Sequence, residues 1–200
     1  MVQADQFPVE THPFEPFLPI KARVLFLGSF PPPRKRWCMD FYYPNFINDF
    51  WRIVGLVFFD DKDRFVDTIR KQFLVDEIIP FCEGKGLAFY DTASAVRRLK
   101  GNASDKFLEV VTPSDVPALL RKIGECKAVV VTGEKAAETL GAVFGAVAPG
   151  VGGHSSFTFE DRNMELYRMP SSSRAYPLSL QKKADVYRRL FEDLGMVSSP

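Results

Sequence analysis

The sequence predicts an α/β fold built around a mostly parallel sheet, and two observations carry that prediction. Four short segments have uninterrupted apolar runs, which are typical of strands buried on both faces of a sheet. Helical patterns lie between these segments, and alternating strands and helices favour parallel pairing. The four predicted strands are Arg23–Gly28, Leu87–Asp91, Lys127–Thr132 and Glu165–Met169.

Four helical segments follow from apolar spacing and from capping residues. In the last of them, Ser179 can cap a helix with one continuous apolar stripe, and Gly195 fits just beyond its end. Ser114 is predicted to cap a helix that ends at Gly124. The other two are the Ala- and Leu-rich Glu134–Phe144 and a segment in which Phe65, Ile69 and Phe73 recur every four residues.

The composition fits one globular domain. The chain has 200 residues, 46% of them hydrophobic, which is enough for a full core. We expect residues 1–20, rich in Pro and Phe, to form an N-terminal arm on a single domain of residues 21–200. The formal net charge of +1 argues against a wholly basic coat protein for nucleic acid, but it permits a local basic face.

The cysteines and the N-terminal sequence indicate in which cellular compartment the protein is expected. Cys38, Cys82 and Cys126 are far apart and odd in number, so they suggest neither a disulfide framework nor a metal cluster. No apolar stretch approaches the ~20 residues that cross a bilayer. The N-terminus "MVQADQFPVE" lacks the features of a signal peptide. We therefore expect a cytoplasmic protein without a membrane segment.

The ends of the predicted strands are the first place to look for a site, because ligands of open α/β sheets bind outside the carboxyl ends. In "LFLGSFPPP", Gly28 lets another group approach the backbone closely, and the prolines after Phe30 make the loop stiff. Such a loop can hold a flat ligand against Ser29 and Phe30, or it can be a rigid turn without a ligand. The other strand ends offer Asp91, Thr132-Gly133 and Pro170-Ser171.

The segment "DFYYPNFINDFWRIVG" crowds aromatic and amide side chains together. Aromatic faces can stack on nucleobases, and an amide can position water or contact a base edge. We expect Phe50 and Trp51 to begin a buried helix instead. The residues with potential for binding are Tyr42, Tyr43 and Asn48.

The segment "MPSSSRAYP" supplies three hydroxyls and free backbone N–H groups, which suit phosphate oxygens. Arg174 follows directly and can reach a phosphate or enter a groove; a plain serine-rich turn is the alternative. Other cations are grouped along the chain and either line one groove or simply face solvent. These are Arg34, Lys35, Arg36, Arg97, Arg98, Lys100, Lys182 and Lys183.

Other chemistries have weaker support. A Ser-His-Asp triad would depend on His154, because His12 lies in the arm, and no Gly-x-Ser-x-Gly elbow is present. Neither a Gly-x-x-x-x-Gly-Lys-Ser/Thr loop nor a Gly-x-Gly-x-x-Gly after the first strand is present.

Together, these segments resemble the uracil-DNA glycosylase superfamily. "LFLGSFP" resembles its first motif, "GLAFYDTASAVRR" its second-strand segment, and "MPSSSRAY" the "MPSSSAR" loop of mismatch-specific glycosylases. "YYPNFINDFW" is similar to a segment of the hypoxanthine-DNA glycosylase branch, which the whole pattern resembles most. The resemblance implies three layers, with helices on both faces of a four-stranded, mostly parallel sheet in strand order 2-1-3-4.

Two departures from the superfamily pattern bear on the chemistry. Phe30 stands where the first motif usually has the Asp or Asn that positions water, and the resemblance implies that Asn48 takes this role. Asp91 replaces a base-reading Asn. An ionised carboxylate accepts hydrogen bonds and donates none, so Asp91 should suit a purine N–H better than a uracil carbonyl.

The function implied is that of a monofunctional DNA glycosylase in base excision repair, which flips and hydrolytically removes a deaminated or mismatched base. The base would lie against Gly28, Ser29, Phe30, Tyr42, Tyr43 and Asp91, and DNA would contact Pro170, Ser171, Ser172, Ser173 and Arg174, with Arg174 as the wedge. We expect no metal, no cofactor and a monomer. Two alternatives stay open: a non-catalytic binder of nucleic acid or nucleotides, and a hydrolase or phosphate-transferring enzyme for a small substrate.

Overall fold

A computed structural model describes residues 7–99 and 107–198. In chain order, its strands are β1 (Val9–Thr11), β2 (Val24–Gly28), β3 (Val66–Asp67), β4 (Gln72–Phe73), β5 (Leu87–Asp91), β6 (Ala93–Arg98), β7 (Leu108–Pro113), β8 (Ala128–Val131), β9 (Gly153–Phe159) and β10 (Arg162–Arg168). The helices are α1 (Phe50–Phe59), α2 (Val75–Lys85), α3 (Val116–Lys122), α4 (Glu134–Phe144) and α5 (Leu180–Asp193).

The central sheet has five strands in the order β5-β2-β8-β10-β9. The first four are parallel to one another and correspond to the segments predicted from the sequence. β9 pairs antiparallel with β10 at the edge. The prediction of a four-stranded sheet was therefore wrong, because the sheet has a fifth strand. β9 was not predicted because it lacks a continuous apolar run. It alternates between more and less buried residues and begins with Gly and small polar residues.

Helices cover both faces of this sheet. Val24, Phe26 and Phe89 pack on one face with residues of α1, α2 and α5. Leu25 and Leu27 pack on the other face with residues of α3 and α4. Because successive residues of a strand point to opposite faces, strands covered on both sides need continuous apolar runs, as β2 and β8 have.

A second sheet was not predicted from the sequence. It has three antiparallel strands in the order β1-β6-β7. β1 belongs to the segment predicted as an N-terminal arm, and it pairs from Val9 with Arg97 to Thr11 with Ala95. The part of the arm that the structure describes is thus joined to the fold by backbone hydrogen bonds.

Two helix predictions need correction. The segment from Phe65 to Phe73 is not helical: β3 and β4 form a small hairpin, and Ile69 is 92% exposed. Phe65, just before β3, and Phe73, at the end of β4, are both buried, while Ile69 between them is not. The cap of α3 is Asp115, which accepts from the Ala118 N–H, and not Ser114. The predictions for α4 and for the start of α5, where Ser179 accepts from the Lys182 N–H, are confirmed.

Candidate functional site

A cleft of about 630 Å³ opens at the carboxyl edge of the parallel strands. That volume is within the ~300–1,000 Å³ typical of small-molecule sites. Of the site residues predicted from the sequence, only Pro170 does not line it; Pro170 is buried, and its carbonyl accepts from the Tyr187 hydroxyl at 3.0 Å. The others are Gly28, Ser29, Phe30, Tyr42, Tyr43, Asn48, Asp91, Ser171, Ser172, Ser173 and Arg174.

Strand register brings Gly28 and Asp91 together at the floor of the cleft. β2 and β5 are parallel, and these two residues are direct partners at their carboxyl ends. A Cβ atom on residue 28 would lie 2.5 Å from the Asp91 Oδ1. Real Cβ contacts are longer than this, so the glycine makes room for the carboxylate rather than only for a turn.

Asp91 is paired with a residue that sequence reasoning set aside. The His12 Nε2 lies 2.9 Å from the Asp91 Oδ2, and the two side chains are 2% and 9% exposed. His12 follows β1, so the N-terminal segment contributes to the wall of the cleft. Nothing in its local sequence signals this contact, which spans 79 positions of the chain.

The aromatic residues of the cleft wall also belong to the core. Tyr42 is only 4% exposed, and its hydroxyl donates to the Glu15 carbonyl at 2.9 Å. The ring of Tyr43 stacks on Phe50 with centroids 3.8 Å apart. Burial, followed by the charge of Asp91, raises the pKa of Tyr42 above its usual range, so this phenol keeps its proton. Each ring therefore presents a rigid surface rather than a mobile one.

Phe30 is 8% exposed and packs with Ala93 and Val96 of β6. Its ring edge lies against His12, with centroids 5.3 Å apart. The position where the resembled motif has a polar residue is thus occupied by a packed apolar side chain.

Asn48 lies at the cleft just before α1. Its Oδ1 accepts from the Phe50 N–H at 2.9 Å, which fixes the orientation of the amide. None of the described residues accepts a hydrogen bond from its Nδ2, so both of those N–H groups are available to a ligand. The backbone of Asn48 pairs with Ser173, and its carbonyl accepts from Arg52 at 3.2 Å.

A buried ion cluster joins Asn48 to the serine loop (residues 170–174), and sequence reasoning missed it. Asp49 is 6% exposed and accepts from the Arg174 Nε at 2.9 Å and from the Lys183 Nζ at 3.3 Å. Lys183 is 1% exposed and also donates to the Ser173 carbonyl at 2.8 Å. The Asp49 N–H donates to the Ser172 carbonyl at 2.9 Å. The only sequence signal was a lysine within the apolar stripe of α5.

The serine loop is held by its own hydroxyls. The Ser173 N–H donates to the Ser171 Oγ, and the Ala175 N–H donates to the Ser173 Oγ, both at 3.2 Å. Ser172 is buried. These turns give the loop one shape and leave Arg174, whose side chain is 48% exposed, at the rim of the cleft.

The described members of the predicted cation groups lie in different surroundings. Arg36 and Arg174 line the cleft. Arg98 is buried and donates to Glu10 and to the Pro31 carbonyl, and Lys183 is internal. Lys100 lies outside the described residues. Among the described residues, Arg36 and Arg174 are therefore the predicted cations that line the cleft.

The described ranges contain neither a metal-binding cluster nor a membrane-spanning helix. Residues 7–99 and 107–198 contain no group of three or more His, Cys, Asp or Glu side chains arranged to hold a metal ion. No helix in the same ranges has the length and apolar character required to span a membrane.

Comparison with known proteins identifies a relative in fold. No family model matches the chain, and no curated protein matches it in sequence. A solution NMR structure from Methanosarcina acetivorans, described as a "putative Uracil DNA glycosylase", superposes with a TM-score of 0.61 at 20% identity. The similarity covers 94% of this chain and 99% of that one. At this identity the similarity establishes a shared fold.

Proposed function

We propose that this protein is a DNA glycosylase that extrudes a deaminated or mismatched base (hypoxanthine, xanthine or uracil) into the cleft and hydrolyses its glycosidic bond. The observation that carries the proposal is the convergence of Asn48, Asp91 and the serine loop on one cleft at the carboxyl edge of the sheet. The shared fold with the M. acetivorans protein supports the same function. We further propose that residues 21–200 form the glycosylase domain and that it acts in base excision repair as a cytoplasmic monomer without cofactors.

The reaction breaks the bond between C1′ and the base nitrogen. The bonding electrons leave with the base, water oxygen bonds to C1′, and a proton from that water is passed on to solvent or the departing base. Positive charge thus develops on the sugar and negative charge on the base. Preorganised donors that face the base lower this barrier. The Nδ2 of Asn48 and the backbone N–H groups near Ser29 are among the donors at the cleft that can take this role.

Asn48 suits the positioning of water better than the removal of a proton. Its Oδ1 accepts the Phe50 N–H and keeps a second lone pair, which can accept from the attacking water. An amide is a poor general base, so we assign Asn48 to orientation. A reaction whose leaving group is already a weak base needs little more than an oriented water.

Asp91 favours a deaminated purine as the substrate. Its carboxylate lines the cleft and can accept a ring N–H of hypoxanthine or xanthine. The same carboxylate repels the lone pairs of a base carbonyl. We therefore place this protein nearer to the hypoxanthine-removing branch of the uracil-DNA glycosylase superfamily, with uracil as a poorer substrate.

DNA contact is proposed for the rim of the cleft. The serine loop would bind the flanking phosphates, and Arg174 would fill the gap left by the extruded base. In the free protein Arg174 donates to Asp49, but Lys183 also neutralises that carboxylate. Arg174 can therefore leave Asp49 without stranding an unpaired charge.

The direct test is a panel of duplexes that carry uracil, hypoxanthine or xanthine, with alkaline strand breakage to report abasic sites. Asn48→Ala should lower single-turnover base release by about a hundredfold or more, while DNA affinity stays close to that of the parent. The matched control is Asn163→Ala, an exposed asparagine on β10 that is not among the cleft-lining residues.

The main alternative is a binder of DNA without catalytic activity, and the packed apolar Phe30 in place of a polar residue favours it. The same panel distinguishes the two functions. If the parent protein binds the duplexes but releases none of the three bases, the glycosylase proposal is wrong and the binder is correct.

A further inference from the structure

His12 is a buried polar residue beside the cleft to which the proposed reaction assigns no role. Its side chain is 2% exposed. Aromatic rings surround it: Phe30 and Tyr90 lie with centroids 5.3 and 4.7 Å away, and Phe14 and Tyr42 lie slightly farther off. An unpaired imidazole in such surroundings is costly, so its hydrogen bonds are expected to be specific.

Both ring nitrogens of His12 are in use. Nδ1 faces the backbone of Phe14, with the carbonyl oxygen at 2.8 Å and the N–H nitrogen at 3.1 Å. Nε2 faces the Asp91 Oδ2 at 2.9 Å. An ionised carboxylate only accepts, so Nε2 carries a proton and donates it, whether Nδ1 accepts from Phe14 or donates to it. The ring is thus held at two points and cannot rotate freely.

This contact makes the two oxygens of Asp91 different. Oδ2 is occupied by His12, while none of the described residues donates a hydrogen bond to Oδ1. Gly28 leaves the space that Oδ1 needs, and both residues line the cleft. His12 on one side and Gly28 on the other therefore fix which oxygen is offered to a ligand.

We propose that His12 is a positioning residue that sets base specificity by holding Asp91 with Oδ1 as a single, fixed acceptor in the cleft. This inference rests on the proposed function, and it extends the site to the N-terminal segment that carries His12. Residues that orient a ligand-contacting side chain contribute roughly ten- to a hundredfold in activity, as those that orient metal ligands show.

A carboxylate oxygen held in one place can distinguish two bases by the groups on either side of the ring N–H that it contacts. In hypoxanthine, N1–H has one carbonyl beside it and a C–H on the other side. In uracil, N3–H lies between two carbonyls. A carboxylate oxygen held in one place accepts either N–H, but it meets one repelling carbonyl in the first case and two in the second. A carboxylate free to rotate would lose this distinction.

The experiment compares the parent with His12→Phe and His12→Gln. Phenylalanine keeps the ring packing and removes the donor. Glutamine carries an N–H donor that can reach the position of Nε2. The measured quantity is the ratio of kcat/KM for hypoxanthine to that for uracil in duplexes that are otherwise identical. A role in folding alone would lower both values together and leave the ratio unchanged.

We expect His12→Phe to lower this ratio about tenfold or more and His12→Gln to stay near the parent. Equal ratios in all three proteins would overturn the inference while leaving the glycosylase function intact. Thermal unfolding checks that each variant is folded. If His12→Phe does not fold, Gly28→Ala takes its place, because its Cβ would displace the same carboxylate oxygen.

A binding measurement separates this inference from the proposed function. The probe is a duplex carrying a 2′-fluoroarabino hypoxanthine nucleotide, in which fluorine disfavours positive charge on the sugar and prevents cleavage. If the parent releases no base but prefers this probe over plain duplex, and His12→Phe alone loses that preference, the glycosylase function is wrong and the role of His12 stands. If the parent neither releases a base nor prefers this probe, both the glycosylase function and the role of His12 are wrong.

Discussion

Replacing Asp49 with alanine should destabilise the protein strongly, because it strands a buried lysine. Asp49 accepts from both Arg174 and Lys183, and the Lys183 side chain is 1% exposed. In Asp49→Ala, the Lys183 ammonium keeps only the Ser173 carbonyl, at 2.8 Å. The loop that carries Ser173 then loses its ionic link to the start of α1.

The size of the effect follows from the burial of each partner. Breaking a buried ion pair by removing one member costs about 3–5 kcal/mol, because the other charge stays without compensation. The contact with Arg174 adds at most about 1 kcal/mol, since that side chain is half exposed. A loss of about 3–5 kcal/mol is a large share of the roughly 5–15 kcal/mol that holds a typical domain together.

Urea unfolding of four proteins tests this reasoning: the parent, Asp49→Ala, Lys183→Met and the double variant. We expect the double variant to be more stable than Asp49→Ala, because methionine leaves no charge to strand. Arg34→Ala, which breaks an exposed pair with Asp40, is the control and should change little. If Asp49→Ala costs less than about 1 kcal/mol, or if the double variant is the less stable, the cluster is no stronger than a surface pair.

Two further predictions concern positions where the structure assigns a specific contact. Gly28→Ala should cost about 1–3 kcal/mol in the free energy of unfolding and also reduce base release, because its Cβ would lie 2.5 Å from the Asp91 Oδ1. If base release is unchanged, the position of the Asp91 carboxylate does not matter for the reaction. Asp115→Ala should cost about 1 kcal/mol by removing the bond to the Ala118 N–H. Ser114→Ala should leave the free energy of unfolding unchanged, since its buried hydroxyl has no partner among the described residues. Chemical denaturation measures the stability of the Asp115 and Ser114 variants, and an equal loss in the two would contradict the assignment of Asp115 as the cap.

Part of the fold could be predicted from the spacing of apolar residues within single strands and helices. The short, continuous apolar run of β8 predicts a strand that is buried on both faces, and the apolar stripe of α5 predicts a helix with one buried face. The second sheet could not be predicted this way. β7 has no buried residue and β1 has only three residues, so neither carries a clear pattern.

The sequence also identified most of the cleft, because the carboxyl ends of parallel strands meet at one edge whatever their order. Gly28, Asp91 and the serine loop could be named from that rule and from residue type. The contacts that those residues make with neighbouring groups could not be predicted. Asn48 was predicted to position water, but the sequence did not show that one lone pair of its Oδ1 is already used by the Phe50 N–H.

By itself, the sequence determined four strands of the central sheet, the helices α4 and α5, and the edge of the sheet at which a site would form. Only the tertiary structure decided the partners of the charged groups. His12 meets Asp91 across 79 positions, and Asp49 meets Lys183 across 134. Local sequence specifies which side chains are buried, because burial follows from the period of an element. Which buried charges meet depends on how the elements pack, and no short stretch of the chain contains that information.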